Sequence, residues 1–165
     1  TGLVGYTLSR AEQRTPGLQP NEPGINQGAW YRAPYDKTHD LSISISYAHN
    51  KRWKWDANAI FQTGQPITYP TGQYEFMGTR VPSFGLRNGQ RLPAYHRIDI
   101  AATLTPQKQQ DKRIKGSWVF GIYNVYNRRN AATISFKQDA ETGKNQAFKL
   151  SIFGIIPSVT YNIRF

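Results

Sequence analysis

Hydrophobic and polar positions alternate with a period of two in six separate stretches of this chain, a pattern that predicts six β-strands. The cleanest sets His39, Leu41, Ile43, Ile45 and Tyr47 against Asp40, Ser42, Ser44, Ser46 and Ala48. Ahead of it, Val4, Tyr6 and Leu8 alternate with Gly5, Thr7 and Ser9. After it, Trp53, Trp55, Ala57, Ala59 and Phe61 oppose Lys54, Asp56, Asn58 and Gln62, with Ile60 as an exception. Ile98, Ile100, Ala102 and Leu104 then oppose Arg97, Asp99, Thr103 and Thr105. The fifth stretch runs from Ser117 to Tyr126, with Trp118, Phe120 and Ile122 on one side and Val119, Gly121, Tyr123 and Val125 on the other. Both sides are fairly apolar there, so alternation leaves its parity open. Val159, Tyr161, Ile163 and Phe165 against Ser158, Thr160, Asn162 and Arg164 make the sixth.

A soluble antiparallel sheet would alternate in the same way, so the connections carry more weight. They run long, short, long, short, long: about 10–38, 49–52, 65–95, 106–116 and 128–156. Outer-membrane barrels have this asymmetry, with short periplasmic turns and long outer loops, and a tilted strand of about ten residues crosses the hydrocarbon layer. Tyr47, Trp53, Trp55 and Trp118 fall beside the short turns and Phe165 ends on the same side, as an interfacial aromatic girdle would. Phe61 and Tyr126 lie at the opposite ends and are candidates for the second girdle. The expected fold is therefore all-β, an antiparallel transmembrane β-barrel segment. If the last strand ends in the periplasm, the N-terminal strand ascends and all three long loops lie outside.

Composition adjusts this picture in two places. A mean hydropathy of −0.62 excludes a helical membrane protein, yet only alternate residues of a barrel strand meet lipid. The net charge of +11, from 21 Lys and Arg against 10 Asp and Glu, raises nucleic-acid binding. The charges sit in scattered pairs such as Lys51-Arg52 and Arg128-Arg129, without any recognition motif, so solvated turns and phosphates of an anionic outer leaflet are expected in place of nucleic acid. Cysteine is absent, which removes disulfides and thiolate metal sites. Six strands are too few to close a barrel, and an open edge in lipid leaves backbone groups unsatisfied at several kcal/mol each. Either the chain is a fragment or its edges pair with another polypeptide, and the abrupt start at Thr1 favours the fragment.

Several segments resemble TonB-dependent receptors of Bacteroidetes. They are Trp30 to Leu41, Gln62 to Pro70, Arg91 to Asp99, the Asn124-Val125-Tyr126-Asn127 signature within Phe120 to Asn130, and the C-terminal Ile155 to Phe165. The resemblance implies the last six strands of a 22-stranded barrel, of the type with a carboxypeptidase-regulatory-like extension, whose plug domain and TonB box lie outside these residues. It further implies outer-membrane localisation in a Gram-negative bacterium and import of a scarce extracellular ligand such as a siderophore, glycan or peptide. The implied partners are outer-membrane lipid and lipopolysaccharide, the remainder of the barrel and plug, TonB through that plug, the barrel-assembly machinery, and a surface lipoprotein as a further option. The alternative is a non-importing barrel with a structural or partner-binding role in an envelope complex.

Candidate chemistry is sparse. Val159, Tyr161, Ile163 and Phe165 resemble the signal read by the barrel-assembly machinery, and the same residues suit a lipid-facing side. Trp30, Tyr31, Arg32, Tyr35, Tyr74, Arg80, Arg87 and Arg91, joined by Tyr69 and Phe76, combine stacking faces with fixed positive charge. That mix fits sugars, peptides or anionic chelates, and equally fits loops packing on one another. His39, Asp36, Asp40, His96 and Asp99 lack metal-ligand spacing; hydrogen bonds and ion pairs at strand ends are expected of Asp36, Asp40, Arg97 and Asp99. No serine with a base and no phosphate-binding glycine loop stands out, so neither an enzyme nor a cofactor is expected. Asp139 to Lys144 reads as a hairpin tip between two strand extensions, Ala132–Gln138 and Gln146–Phe153.

Overall fold

The computed structural model describes residues 1–106, 115–139, 145–151 and 153–165. Its strands are β1 (Gly2–Leu8), β2 (Glu12–Gln13), β3 (Tyr31–Arg32), β4 (His39–Ala48), β5 (Trp53–Gln62), β6 (Pro66–Ile67) and β7 (Pro70–Phe76). They continue with β8 (Thr79–Phe84), β9 (Gln90–Arg91), β10 (Tyr95–Leu104), β11 (Lys115–Tyr123), β12 (Thr133–Gln138), β13 (Asn145–Leu150) and β14 (Ile156–Arg164). The protein is all-β and its sheets are antiparallel. One six-stranded sheet, in the order β1-β4-β5-β10-β11-β14, contains the six expected segments, each beside its neighbour in sequence.

Registry sorts the side chains into two unlike faces, because directly opposed residues of an antiparallel pair point the same way. One face carries the row Val4, Ile43, Ala59, Ile98 and the row Ile45, Ala57, Ile100, Ile122. Below them come Tyr47, Trp55, Ala102, Phe120 and Val159, then Trp53, Leu104, Trp118 and Tyr161. The fifth segment's open parity is thereby settled: Trp118, Phe120 and Ile122 belong to the apolar face, opposite Leu104, Ala102 and Ile100. The other face holds Ser42, Ser44, Ser46, Asp56, Asn58, Arg97, Asp99, Thr103 and Thr160. Ile60 does lie on that polar face, between Ser42 and Arg97.

The polar face is laced together across strands. Ser44 Oγ donates to Asn58 Oδ1 at 2.8 Å, Ser46 Oγ to Asp56 Oδ1 at 2.7 Å, and Gln62 Nε2 to Asp40 Oδ2 at 2.9 Å. Arg97 pairs with Asp99 at 2.9 Å, donates to the Tyr95 hydroxyl at 3.1 Å and lies 4.0 Å over the Tyr123 ring. The apolar face makes no such bonds along most of its height and is largely uncovered.

Two points differ from the sequence expectation. The fifth strand ends at Tyr123, three residues short of Tyr126, because Asn124 turns into the left-handed region (φ 54°) and Asn127 repeats the turn. The 65–95 connection also contains an unforeseen hairpin, β7 on β8. The Ala132–Gln138 and Gln146–Phe153 extensions form β12 and β13, which pair from Thr133 with Leu150 to Gln138 with Asn145. The residues at their tip, and those at 107–114 in the second short connection, lie outside the described set.

Asn124 explains the Asn-x-x-Asn signature physically. Its side chain is buried, its amide donates to the Arg128 carbonyl at 2.8 Å, and its Oδ1 accepts the Arg128 N–H at 3.0 Å. Its own N–H reaches Asp99 Oδ1 at 2.8 Å, while Asn127 Oδ1 accepts the Ile155 N–H at 3.0 Å. Asparagine tolerates the left-handed backbone and supplies both bonds at once. Asn124→Ala is expected to cost about 3 kcal/mol, from strained φ and orphaned polar groups, with Asn124→Gly recovering only the strain. Denaturant midpoints of the intact protein check this; equal midpoints for the two variants would refute the strain share, and an Asn124→Gly midpoint equal to that of the unmodified protein would refute the hydrogen-bond share.

Candidate functional site

All three long connections leave the same end of the six-stranded sheet, and the first two enclose a cleft there. The β2–β3 ribbon pairs Glu12 with Arg32 and Gln13 with Tyr31, while the β6–β9 ribbon pairs Pro66 with Arg91 and Ile67 with Gln90. Asn26, in the short turn Ile25–Gly28, clasps the backbone of Arg87: Nδ2 donates to the Arg87 carbonyl at 3.1 Å and Oδ1 accepts its N–H at 2.8 Å. Asn88 Nδ2 donates to the Arg32 carbonyl at 2.7 Å. The loops thus enclose an open cleft of about 510 Å³ lined by Arg10, Trp30, Tyr31, Arg32, Arg87 and Arg91 along with Asn26, Asn88 and Gln90. That volume falls in the range of small-ligand sites.

Asp36 is the keystone beneath it. Its carboxylate is almost fully buried and accepts the Ala11 N–H at 2.6 Å, Arg32 at 3.0 Å and a further bond from Arg91. Arg91 also donates to the carbonyl of Gly64 at 2.7 Å and to Thr38 Oγ1 at 3.0 Å, so a single guanidinium ties two long connections together. Gly64 is required by this closeness, since a Cβ would collide with the Leu92 carbonyl. Burial pushes the Asp36 carboxyl up, but the Ala11 N–H and the Arg91 and Arg32 guanidiniums outweigh it and hold the group below the usual carboxylate range.

Five of the eight sequence-predicted ligand residues therefore line one cleft: Trp30, Tyr31, Arg32, Arg87 and Arg91. Their roles differ. Arg32 and Arg91 face the cleft yet spend hydrogen bonds on Asp36, and Tyr31 is buried with its hydroxyl 3.0 Å from Thr15 Oγ1. Trp30 stays 64 % exposed and offers a stacking face. Tyr35 is exposed outside the lining, and Tyr74 and Arg80 sit on the β7–β8 hairpin. Arg80 faces a different hollow, of about 360 Å³, shared with Ile134 and Phe136. Sequence reasoning missed Arg10, Asn26 and Asn88; the signal available in the sequence was the turn-favouring Asn88-Gly89 dipeptide, and in the structure Asn26 and Asn88 both take the left-handed backbone.

The imagined His39–Asp36–Asp40–His96–Asp99 grouping is not assembled. Asp40, Asp99 and Asp36 belong to the polar face and loop base, whereas His39 bonds the Tyr6 hydroxyl at 2.9 Å and His96 the Tyr126 hydroxyl at 2.8 Å on the apolar face. At that end of the apolar face Tyr6 stacks on His39, and His96 stacks on both Phe61 and Tyr126. At the short-turn end, Trp53 stacks on Trp55 and Trp118 lies 4.6 Å from Tyr161. Gly116 makes room for that tyrosine, which lies across it. Val159, Tyr161 and Ile163 share the apolar face, and Phe165 is almost wholly exposed beyond it.

No protein-family model matches the chain, and neither a curated protein nor a solved structure matches it.

Proposed function

We propose that the six long strands are a section of the wall of a transmembrane β-barrel, the C-terminal segment of a TonB-dependent receptor that imports a scarce extracellular ligand across the outer membrane. The observation that carries this reading is the apolar face, continuous across all six strands and bounded at each end by a row of aromatic rings. The exposed surface of 12300 Å² supports it, since a free-standing monomer of 18.8 kDa is expected to expose about 8,000 Å². Contiguous apolar patches of this extent mark membrane or protein contacts. The polar face, rich in hydroxyls and amides, suits a lumen, and β1 and β14, each with one unpaired side in the sheet, are where the remainder of the barrel would continue the ladder.

The orientation follows from parity: the C-terminus and the 49–52 turn are periplasmic, and the Arg-rich cleft faces the exterior as part of the ligand-capturing surface. In intact cells carrying the full receptor, a membrane-impermeant maleimide should label Arg87→Cys directly and Asn50→Cys only after the outer membrane is permeabilised. The reverse pattern would refute the orientation. In-cell crosslinking of the full receptor to TonB separates the importer from a non-importing barrel, which would give no crosslink. Deleting Phe165 should lower the amount of receptor inserted several-fold if the terminal residues carry the assembly signal; unchanged insertion would leave them as lipid-facing residues alone.

A further inference from the structure

We propose that the apolar face holds one bound lipid: a trench along β5 takes an acyl chain, and a phosphate headgroup sits above it against the Arg128-Arg129 pair. This inference rests on the membrane-spanning reading. The trench arises because Ala57 and Ala59, consecutive positions on the apolar face of a central strand, are flanked by Ile43 and Ile45 on β4 and by Ile98 and Ile100 on β10. Around Ala59, between Ile43 and Ile98, this strip opens into a hollow of about 280 Å³ bordered also by Leu41, Phe61, His96 and Tyr126. Below the hollow the small-residue strip continues over Ala57, between Ile45 and Ile100, as far as Trp55, six residues from Phe61. At about 3.3 Å per residue that is about 20 Å, and a strand tilted by about 45° projects to about 15 Å, the depth of one leaflet.

The upper end is the polar one. His96 Nδ1 and the Tyr126 hydroxyl meet at 2.8 Å. Arg128 is held there by bonds to the Ala94 carbonyl and Asn130 Oδ1, both at 3.2 Å, and Asn130 in turn donates to the His96 carbonyl at 2.9 Å. Arg129 follows, exposed. Among the described residues the ion pairs engage Arg10, Arg32, Lys54, Arg91 and Arg97, so no carboxylate neutralises these two cations. A small-residue strip one leaflet deep, hollowed at its upper end beside Arg128 and the exposed Arg129, fits an anionic lipid, and guanidinium groups are well matched to phosphate.

The test is native mass spectrometry of the intact, delipidated receptor titrated with phosphatidic acid, with phosphatidylcholine of the same chains as the control. The unmodified receptor should retain one phosphatidic acid with about thirtyfold preference over phosphatidylcholine, as expected from two cations near the headgroup. Ala59→Trp fills the trench and should abolish that adduct. Replacing both arginines, as Arg128→Gln with Arg129→Gln, should keep an adduct but lose the preference. Equal adducts in the unmodified and Ala59→Trp receptors, or equal retention of the two lipids, would overturn the proposal. A heat-dependent shift in electrophoretic mobility, measured on the same samples, reports barrel formation separately; its absence from the unmodified receptor would instead overturn the barrel reading.

Discussion

Ile100→Arg should block insertion of the receptor, or destabilise the inserted state by about 2–4 kcal/mol, whereas Thr103→Arg should change it by less than about 1 kcal/mol. Ile100 stands in the middle row of the apolar face, opposite Ala57 and Ile122, so on the proposed reading its guanidinium replacement would sit in hydrocarbon far from either interface. Thr103 is three residues on, but its side chain points to the polar face beside Lys54 and Val119. The same charge placed on opposite faces separates lipid exposure from any general intolerance of arginine in β10. Folded fractions in liposomes, read from the heat-dependent mobility shift across a urea series, measure both. Equal losses for the two variants would contradict a one-sided lipid environment.

Asp36→Ala should cost about 3 kcal/mol of stability in the loop base, because it leaves the partly buried Arg91 guanidinium without its anionic partner while removing an acceptor from Ala11 and Arg32. The six-stranded sheet does not depend on this carboxylate, so the loss should appear as proteolytic cutting within 9–38 and 63–94 with that sheet intact. The pH dependence has a definite sign. A carboxyl held below its ordinary value in the folded state contributes its full stability above the unfolded pKa of about 3.9 and loses it as pH falls through the lower folded value. Protection of these loops against an acid-active protease should therefore persist at neutral pH and fade only below about pH 3.9, while Asp36→Asn should show weak protection with little pH dependence. Loops equally resistant in Asp36→Asn and in the unmodified protein would show that the cleft is held by Asn26 and Asn88 instead.

The strands were legible in the sequence because one side of each strand is apolar and the other polar over most of its length. His39 to Ala48 displays this best, with four apolar residues and serines in strict alternation. Lys115 to Tyr123 displayed it poorly, since Val119, Gly121 and Tyr123 are not polar, and only pairing with Ala102 and Val159 fixes which way Trp118 and Phe120 point. The β7–β8 hairpin was not legible: its residues face solvent on both sides and carry no contrast to read. For the cleft, residue chemistry picked out Trp30, Arg32, Arg87 and Arg91, but not that two of these arginines are engaged below by Asp36. Burial of a lone aspartate between loops 55 residues apart is a tertiary fact with no local signature. Likewise the hollow over Ala59 reads in sequence as an ordinary alanine, and becomes a feature only when the register sets Ile43 and Ile98 on either side.

The central claim is that one face of this sheet meets lipid and the other does not. Because the chain lacks cysteine, single cysteines can be placed at will within it. The decisive measurement is fluorescence from a probe at Ile45, Ile100 or Phe120 and, in parallel, at Ser44, Asp56 or Thr103, in the intact receptor reconstituted into bilayers carrying nitroxide-labelled acyl chains. Strong quenching at the first three positions and weak quenching at the second three is the predicted result. Equal quenching on the two faces, or quenching confined to the polar one, would contradict it.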